Sequence, residues 1–116
     1  TLPDLRELGF VDHLQDGRKA FGDGRYGDAL FSFGQRLGES PDDPWAWHGR
    51  GDALQLLEEY DGALAAYDRA AALQKEQGLH HVGRANALRA LARLDEAEAA
   101  WSHALRLDPD LSRMRR

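Results

Sequence analysis

The sequence predicts an all-α fold, a curved stack of three antiparallel helix pairs. Three observations carry that prediction. Residues recur in columns 34 positions apart: Tyr26, Tyr60 and Leu94; Ala29, Ala63 and Ala97; Phe33, Tyr67 and Trp101; Gly17, Gly51 and Ala85. A long period that fixes bulky, small and turn residues in order is the signature of stacked units, each unable to bury its apolar face alone. Alanine and leucine dominate, whereas valine stands only at 11 and 82 and isoleucine is absent, which favours helix over strand. The breaks between apolar segments are short, so consecutive helices must lie side by side and antiparallel.

The elements follow in order. Residues 1–9 form a flank, 10–43 the first unit, 44–77 the second, 78–111 the third, and 112–116 a tail or the start of a further helix. In the first unit, helix A is expected from Val11 to Phe21, broken by Gly22-Asp23-Gly24, and helix B from Gly27 to Leu37. Asp43 and Pro44 suit the cap and first turn of the next helix, expected from Trp45 to Leu57. Asp61 is placed as the cap of the second helix B, which runs to about Lys75 or on to Gly78 because no proline stops it. In the third unit, helix A is expected from Leu79 to Ala92. Asp95 with Glu98 reads as a capping box for helix B, and Pro109 closes the unit.

Composition narrows the functional classes. The apolar fraction of 42%, with three Trp, three Tyr and four Phe, is enough for a core. A net charge of −5 opposes general binding to nucleic acid or anionic lipid. The cluster Arg113, Arg115 and Arg116 reads as a solvated end. With no cysteine there is no disulfide, thiol nucleophile or thiolate metal site. No apolar run approaches the ~20 residues that span a bilayer, so membrane insertion is not expected. The chain begins at Thr1 rather than Met, which leaves a removed targeting segment open; a cytoplasmic location is favoured. The Ala, Gly, Arg, Leu and Asp bias hints at a GC-rich bacterial genome.

The columns resemble the tetratricopeptide repeat family. Its pattern sets an aromatic, a Leu-Gly pair, a second bulky residue, then Ala, an aromatic and Pro. The second unit is nearest, with Trp47, Arg50-Gly51, Leu54, Ala63 and Tyr67. The first gives His13, Asp16-Gly17, Ala20, Ala29, Phe33 and Pro41; the third gives His81, Arg84-Ala85, Leu88, Ala97, Trp101 and Pro109. Asp16, Arg50 and Arg84 stand where the family has leucine, and Lys75 where it has proline. The resemblance implies a right-handed superhelix, an α-solenoid, and a scaffold that binds a peptide or helix of a partner protein on its concave wall. It implies neither enzyme nor cofactor.

Carried over by column, the groove would be lined by Val11, Leu14, Arg18, Phe21, Trp45, His48, Asp52, Gln55, Leu56, Leu79, Val82, Asn86 and Arg89. Trp and Arg often dominate binding energy, which singles out Trp45 and Arg89, with His48 and Asn86 beside them. The bland alternative is that Trp45 packs on Pro44 or the preceding loop and the polar residues are merely solvated. A subclass of the family clamps the terminal carboxylate of chaperone tails with Lys, Arg and Asn. Its columns hold Leu14, Arg18, Gly49, Leu79 and Gly83 here, so that clamp is not expected.

Other motifs carry less. Arg50-Gly51-Asp52 spells an integrin tripeptide but falls inside a helix. None of the five histidines has a partner at i, i+4, the spacing that sets two imidazoles on one helix face, so no metal site is expected. His80 and His81 are neighbours and point about 100° apart. Ser102 and His103 are adjacent, which does not set a base on a nucleophile. The last helix B raises a second reading. Leu111 to Arg116 are too few to form the helix that would normally cover it, so Trp101, Ala104, Leu105 and Leu107 are expected to leave an apolar strip. That strip would be covered by further chain or by a second copy, giving a homodimer through the stack end. Leu2, Leu5, Leu8 and Phe10 are candidates to cover the opposite end.

Overall fold

The computed structural model describes residues 9 and 11–114. Among them the order is α1 (His13–Gly22), α2 (Tyr26–Glu39), α3 (Pro44–Leu56), α4 (Tyr60–Leu73), α5 (Gly78–Ala90) and α6 (Leu94–Leu107), then a 3₁₀ segment, Pro109–Met114. The helices pair as α1/α2, α3/α4 and α5/α6, and the A helices α1, α3 and α5 lie next to one another. The expected flank residues Leu2, Leu5, Leu8 and Phe10 lie outside the described residues.

Local chemistry sets each helix end. Asp12 caps α1 by accepting from the Gln15 amide at 3.0 Å. Asp43 caps α3, its Oδ1 accepting from the amides of Trp45 at 3.0 Å and Ala46 at 3.3 Å, with Pro44 as the first helical residue. Gln77 caps α5 through the Leu79 amide. Every turn from an A to a B helix uses one left-handed residue: Gly24 at φ 78°, Glu58 at φ 63° and Ala92 at φ 62°. Around Glu58 the Glu59 amide donates to the Leu54 carbonyl and the Glu58 amide to that of Gln55, and the other two turns repeat this pattern.

That turn corrects the expected B-helix starts. Tyr26, Tyr60 and Leu94 are the first helical residues, so Asp61 and Asp95 sit in the first turn and do not cap. The caps are Arg25, Glu59 and Arg93, without a side-chain bond, and there is no Asp95–Glu98 capping box at this end. The acidic first turns still favour the helix dipole. The second helix B stops at Leu73 rather than Lys75 or Gly78. Glu58 and Ala92 adopt a backbone that suits glycine, a strain of about 1–2 kcal/mol. Ala92→Gly should therefore raise stability by about 0.5–1 kcal/mol, after the added freedom of the unfolded chain, which is measurable by urea titration.

The core is built from small A–B contacts and aromatic wedges. Ala29 and Ala63 are fully buried, and Ala97 nearly so. Phe33 of α2 enters between α1 and α3, and Tyr67 of α4 between α3 and α5. A Cβ built on Gly17 or Gly49 would lie 2.6 or 2.4 Å from the Phe33 ring, and one on Gly51 or Gly83 would lie 2.7 or 2.5 Å from Tyr67. Glycine at these points sets the approach of neighbouring units.

The stack end differs from expectation. Trp101 is 4% exposed and Ala104 fully buried, with Leu105 half-buried against the same cluster. Leu107 is half-buried. Leu111 of the 3₁₀ segment joins this cluster and lies over Gly78, where an added Cβ would stand 2.6 Å from its Cδ1. The open apolar strip proposed for self-association is therefore largely covered by the chain itself. Leu111 shares a column with the caps Asp43 and Gln77, and in the third unit this position packs inward.

Candidate partner-binding groove

The A helices bring several of the expected residues to one place. Arg18 and Phe21 on α1 face Trp45, His48 and Asp52 on α3 around a cavity of about 130 Å³, with Phe33 and Gly49 completing it. The bare Gly49 backbone allows Phe33 to reach this level. Trp45 does not simply pack on Pro44. Its ring lies 5.6 Å from that of His48 and 4.8 Å from that of His80, both tilted. Phe21 is braced by Tyr26 at 5.3 Å.

The remaining positions divide. Leu14 and Phe21 are half-buried against the first core cluster. Val11 and Leu56 are exposed. Gln55 is half-buried, and its Oε1 is enclosed with no hydrogen-bond donor among the described residues. Leu79 packs on the third-unit core. Val82 does not line an open wall: it is 4% exposed, in the cluster that holds Leu88 and Trp101. Asn86 accepts from Arg89 Nη2 at 3.1 Å, a bond within α5.

A chain of polar side chains runs beneath the wall from α3 to α5. Tyr67 Oη donates to Asp52 Oδ1 at 2.6 Å, and Asp52 Oδ2 lies 3.5 Å from His48 Nε2. His48 Nδ1 meets His80 Nδ1 at 2.9 Å, and His80 Nε2 meets the Gln74 side-chain amide at 2.8 Å. Each contact needs one hydrogen, so the orientation of the Gln74 amide fixes both tautomers. With Gln74 Oε1 accepting from His80 Nε2, His48 Nδ1 donates to His80 Nδ1 and its Nε2 faces Asp52 without a hydrogen; with the amide reversed, His48 Nε2 carries the hydrogen toward Asp52. Burial holds His48 and His80 down at about 4, and raises Asp52 against the opposing Tyr67 hydrogen bond. Both imidazoles are thus neutral near pH 7.

Sequence reasoning missed His80, Gln74 and Tyr67 as parts of this chain. A signal existed for His80: it shares a column with Ala46, and both are fully buried. His81 is also buried, its ring 4.4 Å from and perpendicular to that of His103. The Arg50-Gly51-Asp52 tripeptide lies within α3, with Asp52 engaged by Tyr67.

No protein-family model and no curated protein matches the sequence. Solved structures do. The first TPR domain of Spaghetti (RPAP3), bound to the HSP90 peptide SRMEEVD, is similar at a TM-score of 0.82 and 26% identity over 84% of this chain and 77% of that one. The Yersinia enterocolitica type III secretion translocator chaperone SycD is similar at a TM-score of 0.82 and 22% identity, over 88% and 80% of the two chains. An O-GlcNAc transferase of Thermobaculum terrenum is similar at 0.81 and 26% identity, over 84% of this chain and 19% of the enzyme. Among the described residues, no helix is long and apolar enough to cross a membrane. The repeating columns, the three hairpins and these likenesses together show that the chain has the tetratricopeptide-repeat fold.

Proposed function

We propose that this chain is a non-enzymatic interaction scaffold whose α1–α3–α5 wall holds an extended segment or helix of a partner protein. The observation that carries this reading is the cavity between α1 and α3, with aromatic walls and an arginine at its edge. Concave, mostly apolar sites with a few placed polar groups are what recognition requires. Arg18 at the edge of the cavity is exposed and has no carboxylate partner among the described residues, so it is open to a guest. A rigid stack also lowers the entropy cost of binding.

The RPAP3 domain was solved with an HSP90 peptide, which supports a peptide-binding reading for this fold. Of the clamp columns Leu14, Arg18, Gly49, Leu79 and Gly83, Arg18 alone is basic and none is Asn, so a chaperone tail is not the expected guest. A net charge of −5 favours a protein over nucleic acid.

Peptides selected from a random-sequence display library on the wild-type chain test the reading. Trp45→Ala combined with Arg89→Ala should weaken the selected peptides about 30-fold or more, as for two lost anchor residues. Circular dichroism of the variant checks the fold. Affinities unchanged within about twofold in a folded double variant would remove the groove as the binding surface.

A further inference from the structure

The two inter-unit slots differ in one informative way. Between α3 and α5, the slot is filled by Tyr67, whose hydroxyl donates to Asp52. Between α1 and α3, the equivalent ring is Phe33, held by Gly17 and Gly49 as Tyr67 is held by Gly51 and Gly83. Phe33 brings no hydroxyl, and Arg18 stands in the column of Asp52. The first slot therefore has a void where the second has a bonded oxygen. Its lining also holds Arg18, an exposed cation that makes no hydrogen bond or ion pair with Asp52 across the cavity or with any other described residue.

Resting on the groove reading above, we propose that this cavity receives an aromatic side chain of a partner segment whose neighbouring Asp or Glu carboxylate accepts from Arg18. Size supports the ring: the cavity is about 130 Å³, and apolar cavities of about 150 Å³ are known to take benzene. The Phe21 and Trp45 rings supply the walls, in the tilted contacts that aromatic pairs favour. Charge supports the carboxylate. Asp52 already accepts from Tyr67 and faces His48, and its burial weakens it further as a site for a cationic guest. Arg18 is exposed and presents the planar fork suited to a carboxylate.

Three small probes separate ring from charge: phenylacetate, phenethylammonium and acetate. Their binding is read from the Trp45 indole N–H in ¹H–¹⁵N spectra, assigned by Trp45→Phe. Phenylacetate should shift this signal saturably, at least about tenfold more tightly than either other probe. Arg18→Gln should weaken phenylacetate about tenfold. Phe33→Tyr, which copies the Tyr67 arrangement and places a hydroxyl toward Arg18, should abolish the response while the thermal midpoint is retained. Should Phe33→Tyr fail to fold, the Arg18→Gln arm decides alone. No saturable shift with phenylacetate overturns the proposal. So does tighter binding of phenethylammonium, or a phenylacetate response unchanged in Arg18→Gln. Library peptides that still depend on Trp45 and Arg89 would then show that the groove reading stands and only the guest chemistry fails.

Discussion

Gly49→Ala and Gly83→Ala should each destabilise the protein by about 2–3 kcal/mol, against the usual sign of a glycine-to-alanine change in a helix. Alanine normally gains about 0.5–1 kcal/mol there, because it loses less backbone freedom on folding. At Gly49 the added methyl would lie 2.4 Å from Phe33, and at Gly83 2.5 Å from Tyr67. Neither ring can readily move away. Phe33 is held on its other side by Gly17, and Tyr67 by Gly51 and by its bond to Asp52. Overpacking of this kind costs about 1–3 kcal/mol or more. Gly34 in α2 is the matched control, since nothing lies within 4 Å of a Cβ built there. Gly34→Ala should stabilise by about 0.5–1 kcal/mol. Urea titrations of the three variants check this; loss of the sign reversal would mean the units do not meet through these glycines.

Acidification from pH 7.5 to 5 should lower stability by about 2–4 kcal/mol, largely through His48 and His80. Burial holds both at about 4 in the folded chain, against 6.5 ordinarily, and for His80 the neighbouring His48 and His81 add to the effect. Between those values the unfolded chain binds more protons than the folded one, so stability is full above about 6.5 and falls as pH drops toward 4. His81, lowered mainly by burial, acts in the same direction. Asp52 acts in the opposite direction. Its raised value means the folded chain holds that proton to higher pH, which returns some stability in acid. Thermal midpoints across this range should fall by roughly 10 °C. A His48→Gln/His80→Gln variant should show a flatter profile. A flat wild-type profile would show that the pair is not held neutral.

The architecture was readable because it rests on the period. Ala29, Ala63, Phe33 and Tyr67 occupy the environments their columns imply, and the aromatic of each of these two units wedges beside the next A helix. The B-helix starts were less readable. The turn needs one left-handed residue, and Glu58 and Ala92 fill that role with no compositional cue. Tyr26, Tyr60 and Leu94 share the first helical position, yet Leu94 is 59% exposed while the tyrosines are half-buried. At the groove, Arg18, Phe21, Trp45, His48 and Asp52 converge on one cavity as their columns imply. Val82 does not, because column position fixes direction but not how closely the next side chains cover it. The His48–His80 contact joins residues on two helices, and spacing along one helix could not reveal it.

The hydroxyl–carboxylate–imidazole chain that ties α3 to α5 is not repeated among the described residues at the α1–α3 slot, where Phe33 stands in place of Tyr67 beside a hollow. Cohesion is therefore uneven along the array. The leading hairpin should breathe as a sub-global opening while the other two stay locked. A guest seated in that hollow would act as a bolt, and part of its binding energy would go into quieting the first hairpin rather than into affinity.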